Sequence, residues 1–221
     1  MSLWLRADNE KMLLTELRRH LDPIPARGMG QTTEQSESWT MAKVLHIQPA
    51  MFGVDFPCEI YHEDCPDFRI VRKSKTIWVE VVEAIQEKMA HSWACQNRLP
   101  QENPCSLAKP RAPVPRRSDP SLSHDDMWDG REPEQEWVAC ITDCLINKIK
   151  KAENGNYGSS RPLHLLVYDD IAGPPANVSE EVAEVARNSN IADRFWAVFD
   201  GLHILDQESV WSYHGNFSTS A

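Results

Sequence analysis

Hydrophobic and polar positions alternate along this chain with two periods. Near the start, Leu13, Leu14, Leu17 and Leu21 recur at helical spacing and predict a helix from Asp8, as N-cap, to about His20, ended by Pro23 and Pro25. Glu10 falls on the inward side of that stripe. The polar 26–38 stretch reads as a loop. Residues 39–47 and 54–61 read as weak strands, whereas Phe68–Arg72 and 76–82 are alternating, β-branched and aromatic, the strong strand signature. Further on, Trp137, Ile141 and Leu145, with Val138, Cys144 and Ile149, predict a helix over 137–152 that stops at Asn154-Gly155. The run LHLLVY at 163–168 is of buried-strand type. A helix over 179–188, N-capped by Ser179, and closing strands at 195–199, 203–205 and Val210–Tyr213 complete the pattern. Helices alternating with strands in this order predict an α/β domain around a mixed sheet.

Proline density interrupts the pattern. Seven of the 15 prolines fall between Pro100 and Pro133, so 97–135 reads as an irregular insertion within a single domain of 221 residues. Charge adds a second contrast. The net charge is -10, which argues against a simple nucleic-acid coat, yet Arg98, Lys109, Arg111, Arg116 and Arg117 form a local basic strip in the insertion. No apolar run is long enough for a membrane span and the N-terminus lacks a signal-peptide core, so we expect no membrane partner and a cytoplasmic protein. Its six cysteines then read as reduced thiols. Cys140 with Cys144, or Cys58, His62 and Cys65, bring zinc into view, but their spacing matches none of the usual zinc patterns.

The candidate chemistry lies in the hairpin. With its turn centred on Lys73-Ser74, Arg72 faces Lys75, Ile70 faces Ile77, Phe68 faces Val79 and Asp67 faces Glu80. One side of the ribbon is then wholly apolar, and two carboxylates meet at its open end. Opposed like charges are destabilising unless a cation sits between them, and Mg²⁺ is commonly held by one or two carboxylates with water and phosphate oxygens.

Pro66-Asp67-Phe68, a short ribbon and Val79-Glu80-Val81 resemble the PD-(D/E)xK superfamily of restriction-endonuclease-like nucleases. The likeness extends to the lysine-rich helix end Asn147-Lys148-Ile149-Lys150-Lys151, to Tyr157 and to the strand that follows, and covers about Pro57 to Val82 and Trp137 to Asp170. It implies a restriction-endonuclease-like fold and a nuclease dependent on Mg²⁺ (or Mn²⁺) that acts on DNA or RNA. Asp67 and Glu80 would be the metal ligands, with Glu10 as the additional acid from the first helix. The motif lysine position holds Val82. In some members that lysine lies on the following helix, where Lys148 continues the stripe toward the sheet and Lys151 is the second candidate. Lys109, Arg111, Arg116 and Arg117 would contact flanking phosphates. The alternative is a nuclease fold without activity that serves as a binding module. A homodimer, or a protein partner on the proline-rich insertion, is compatible with either.

Overall fold

The computed structural model describes residues 2–22, 31–73, 75–85, 132–170, 178–187, 191–206 and 209–215. They form a seven-stranded mixed sheet whose spatial order follows the chain: β1 (Ser2–Ala7), β2 (Cys58–His62), β3 (Phe68–Arg72), β4 (Lys75–Ala84), β5 (Leu163–Asp169), β6 (Gly201–Leu205) and β7 (Val210–Tyr213). Strands β1 to β4 are an antiparallel meander; β4, β5 and β6 run parallel, and β7 returns antiparallel. Two parallel neighbours need crossovers, and helices supply them. The β4–β5 crossover contains α3 (Glu132–Glu153), and β5–β6 contains α4 (Val178–Arg187) and α5 (Ile191–Val198).

Two cores sandwich the sheet. On one face α1 (Glu10–Leu17) and α2 (Thr33–Ile47) bury Leu13, Leu17, Met41 and Leu45 against Ile60, Phe68, Ile70, Ile77 and Val79. On the other, Trp137, Ile141, Leu145 and Ile149 of α3, with Phe195 of α5, cover Leu163, Leu165, Val167, Leu202 and Ile204. The β3–β4 register follows the sequence expectation from Arg72↔Lys75 through Phe68↔Val79. Its apolar face belongs to the first core, while Trp78 and Val82 pack on the second. No helix among the described residues is long and apolar enough to cross a membrane.

Several expectations change. Residues 39–47 are helical. Thr32 caps α2 by accepting from the Gln35 N–H at 3.2 Å while the Gln35 side chain accepts from the Thr32 N–H at 3.0 Å, and this reciprocal box outweighs the strand preference of Trp39, Thr40 and Val44. Residues 195–199 largely belong to α5, because Ile191 and Phe195 stand one turn apart and are both buried. An unexpected strand, β1, pairs with β2 and buries Leu5 and Ala7. The α1 N-cap is Asn9, which accepts from Met12 N–H at 3.0 Å, rather than Asp8. The last residues of the expected insertion, 132–135, are already helical, since α3 begins more than a turn before Trp137. Lys109, Arg111, Arg116, Arg117 and the remainder of the insertion lie outside the described residues.

Candidate functional site

The paired register ends at Phe68↔Val79, and beyond it β3 and β4 part. Asp67 occupies that gap. Its Oδ2 accepts the Val81 N–H at 2.6 Å, so a side chain serves a backbone donor of β4 where the ladder to β3 has stopped. Glu80, whose side chain is 2% exposed, receives Lys148 of α3: Nζ donates to Oε1 at 2.5 Å and to the Val81 carbonyl at 3.1 Å. Val81 thus connects the groups through its backbone, with Asp67 on its N–H and Lys148 on its carbonyl. The α3 stripe accounts for this approach, because Lys148 follows Ile141 and Leu145 on the side turned to the sheet. One turn later Lys151, half-exposed, reaches the same Glu80 oxygen at 3.5 Å.

This packing places charge where water is scarce. Burial raises the Asp67 pKa to about 8, and the charges of Glu80 and then Glu37 push in the same direction. The Val81 N–H and Lys148 oppose the rise without cancelling it. Burial, followed by the charge of Glu80, likewise drives Tyr157 well above the usual phenol range. Among the described residues, neither Glu80 Oε2 nor the Tyr157 hydroxyl has a hydrogen-bond partner of ordinary geometry.

Asp67 also borders a cavity of about 350 Å³ whose other acids are Glu34, Glu37, Glu63 and Asp64. His62 faces Glu37 at 3.0 Å in its wall, and Glu63 is held by Arg69 at 2.7 Å. Sequence reasoning missed Glu37 because it missed α2; the Thr32-x-x-Gln35 box was the signal for that helix. Glu10, by contrast, is exposed in the first turn of α1 and has no hydrogen bond or ion pair with Asp67 or Glu80. The helix whose acid acts on Asp67 is α2.

The donor set suits a hard divalent cation: two buried carboxylates, Asp67 and Glu80, with the Asp67 pKa raised by burial and by Glu80, so that an arriving positive charge favours its ionised form. Among the described residues no three His, Cys, Asp or Glu side chains converge as a ready metal cage, so water or substrate oxygens would complete the coordination shell. Cys58, Cys65, Cys140 and Cys144 are free thiols and belong to no such cage. No protein family model, curated protein or solved structure matches this chain.

Proposed function

We propose that this protein is a metal-dependent phosphodiester hydrolase acting on DNA or RNA, with a site of the PD-(D/E)xK type. The observation that carries the reading is the Lys148 ammonium bonded to buried Glu80 beside buried Asp67. It is supported by the element order α2, β2, β3, β4, α3, β5, in which one acid precedes β3, the second lies on β4 and the lysine comes from the next helix. This is the arrangement that the resemblance to the nuclease superfamily implies, with the lysine moved from the position of Val82.

Asp67 and Glu80 would hold Mg²⁺ or Mn²⁺, which when bound polarises the phosphate and lowers the pKa of a coordinated water. The protein's own contribution is electrostatic. Lys148 holds a fixed positive charge where negative charge develops, at no reorganisation cost during reaction. Lys151, more exposed, sits one turn outward and suits a flanking phosphate. Tyr157 keeps its proton and can donate a hydrogen bond at Glu80 or to substrate.

Cleavage of single- and double-stranded DNA and of RNA, with Mg²⁺ and with Mn²⁺, tests the proposal. Wild type should cut at least one substrate; Lys148→Ala should retain metal binding and lose turnover, whereas Asp67→Asn should lose both. Metal-independent cutting, or cutting that survives all three of Asp67→Asn, Glu80→Gln and Lys148→Ala, would remove the assignment. Nucleic-acid binding without cleavage under every condition would leave the inactive scaffold, the reading that Val82 favours.

A further inference from the structure

A second concave site lies on the α1–α2 face of the sheet, toward the opposite end of β3 from Asp67. Its volume is about 630 Å³ and its walls include Arg72 at the end of β3, Ile77 of β4, His164 of β5, His203 of β6 and Ser212 of β7. Met51, Phe52 and Val210 form its apolar side, and His214 stands at its exposed edge. This volume falls within the range of small-molecule sites, about 300–1,000 Å³.

The polar side is a connected chain. His164 Nδ1 and His203 Nε2 are 2.9 Å apart, and His203 Nδ1 is 2.9 Å from Ser212 Oγ. Each link carries one proton, so the chain points one of two ways. In one direction the serine donates inward and His164 Nε2 is left with its N–H; in the other, His203 donates to the Ser212 oxygen, and the hydroxyl proton is free to donate into the cavity. Either tautomer leaves a donor at one end, and both ends line the cavity. Gly201, paired with His164 across β5–β6, permits the approach, since a Cβ there would overlap His164 Nδ1 and come within 3.1 Å of His203 Nε2. Phe52, at φ 57° and ψ 17°, sets its ring edge-on to both imidazoles.

Charge decides what such a chain would hold. Among the described residues no acid lines the cavity, in a protein with net charge -10. Arg72 is its permanent cation; one guanidinium nitrogen donates to the Gly53 carbonyl, while its buried Nε has no acceptor among the described residues. The acid that acts on His164, Asp200, is already engaged by Arg161 at 3.0 Å and the Leu163 N–H at 2.8 Å. Burial, then His214 and Arg72, holds His164 down to about 4, and burial with both neighbouring histidines holds His203 well below the usual range. The Arg72 guanidinium repels a divalent cation and attracts an anion, and among the described residues no three His, Cys, Asp or Glu side chains converge here to hold a metal. A planar guanidinium, the one donor at whichever end of the chain carries the free proton, and His214 at the edge match a tetrahedral oxyanion, and the apolar side leaves room for an organic group.

We propose that this cavity binds a phosphate monoester of nucleotide size, its phosphate on Arg72, His214 and the donor end of the chain, His164 or Ser212, and its organic group against Met51, Phe52 and Val210. The test is calorimetric titration of the full, metal-free chain with adenosine 5′-monophosphate, inorganic phosphate and adenosine. The monophosphate should bind, with adenosine weaker by about tenfold or more. Arg72→Met and His214→Gln should each weaken the monophosphate by about tenfold. The His164 ring signals should move on binding in nitrogen–proton spectra. Arg72 also holds Gly53, so His214→Gln, which changes an exposed side chain, separates lost binding from lost structure. Failure of the monophosphate to bind at millimolar concentration would overturn the proposal. So would equal affinity for adenosine, or unchanged affinity in both variants. Inorganic phosphate binding as tightly as the monophosphate would overturn the nucleotide-sized ligand and assign the cavity to free phosphate.

Discussion

Replacing Asp67 by Asn removes an ionisable group yet keeps an oxygen for the Val81 N–H, so the two effects of this side chain separate. Its pKa is 3.8 in the unfolded reference and about 8 in the folded protein. The folded state therefore binds more protons between those values. Stability contributed by the protonated form is fully present below 3.8, falls as pH rises, and is lost once pH passes about 8. At about 1.4 kcal/mol per unit, the loss at high pH is at most about 6 kcal/mol. Water entry and relaxation around Lys148 reduce it, and about 2 kcal/mol is our expectation. Urea denaturation of both proteins at pH 5 and pH 9 gives the measurement, and comparing them at each pH cancels the titration of His164 and His203. Wild type should lose more stability than Asp67→Asn across this interval, and Mg²⁺ at the higher pH should restore wild type alone. Parallel pH profiles for the two proteins would refute the argument, for then the buried proton on Asp67 would not exist.

Glu80→Gln is expected to behave differently, because it leaves the Lys148 ammonium, only 12% exposed, without its carboxylate; denaturation should show a loss of about 3 kcal/mol, largely recovered when Lys148→Met is added. Gly201→Ala should cost about 1–3 kcal/mol by crowding His164, read as a lowered Tm. Thr32→Ala should cost about 1 kcal/mol through the lost cap of α2, seen as a lower denaturation midpoint with unchanged slope.

What the sequence revealed, and what it concealed, follows from where information resides. The β3–β4 hairpin was legible because β-branched and aromatic residues alternate on both strands, and a slip of one position would move Phe68, Ile70, Ile77 and Val79 out of the core. Helix α3 was legible through its stripe, which also predicted the direction of Lys148. Helix α2 was not, because its first two turns are polar and its later residues favour strands locally; tertiary burial of Met41, Val44 and Leu45 decides in favour of helix. Glu37 was lost with that helix, and Glu10 took its place in the sequence reading. The histidine chain was beyond local reasoning altogether. His164 and His203 become neighbours only because β5 and β6 pair in parallel, and Ser212 joins them through β7.

The position of Val82 acquires a physical meaning from the same geometry. Glu80 and Val82 alternate to one face of β4, the face covered by α3. Val82 pairs with Val167 and packs on the second core, so an ammonium at that position would be brought into apolar surroundings. A lysine arriving from α3 meets the same face from outside, with its stem along the helix packing and its head on Glu80 Oε1 and the Val81 carbonyl. The face of the sheet, rather than the number of the residue, determines what can reach Glu80. On the proposed reading, a lysine supplied by the helix and one supplied by the strand place positive charge beside the same carboxylate, and the strand position is then free to serve the core.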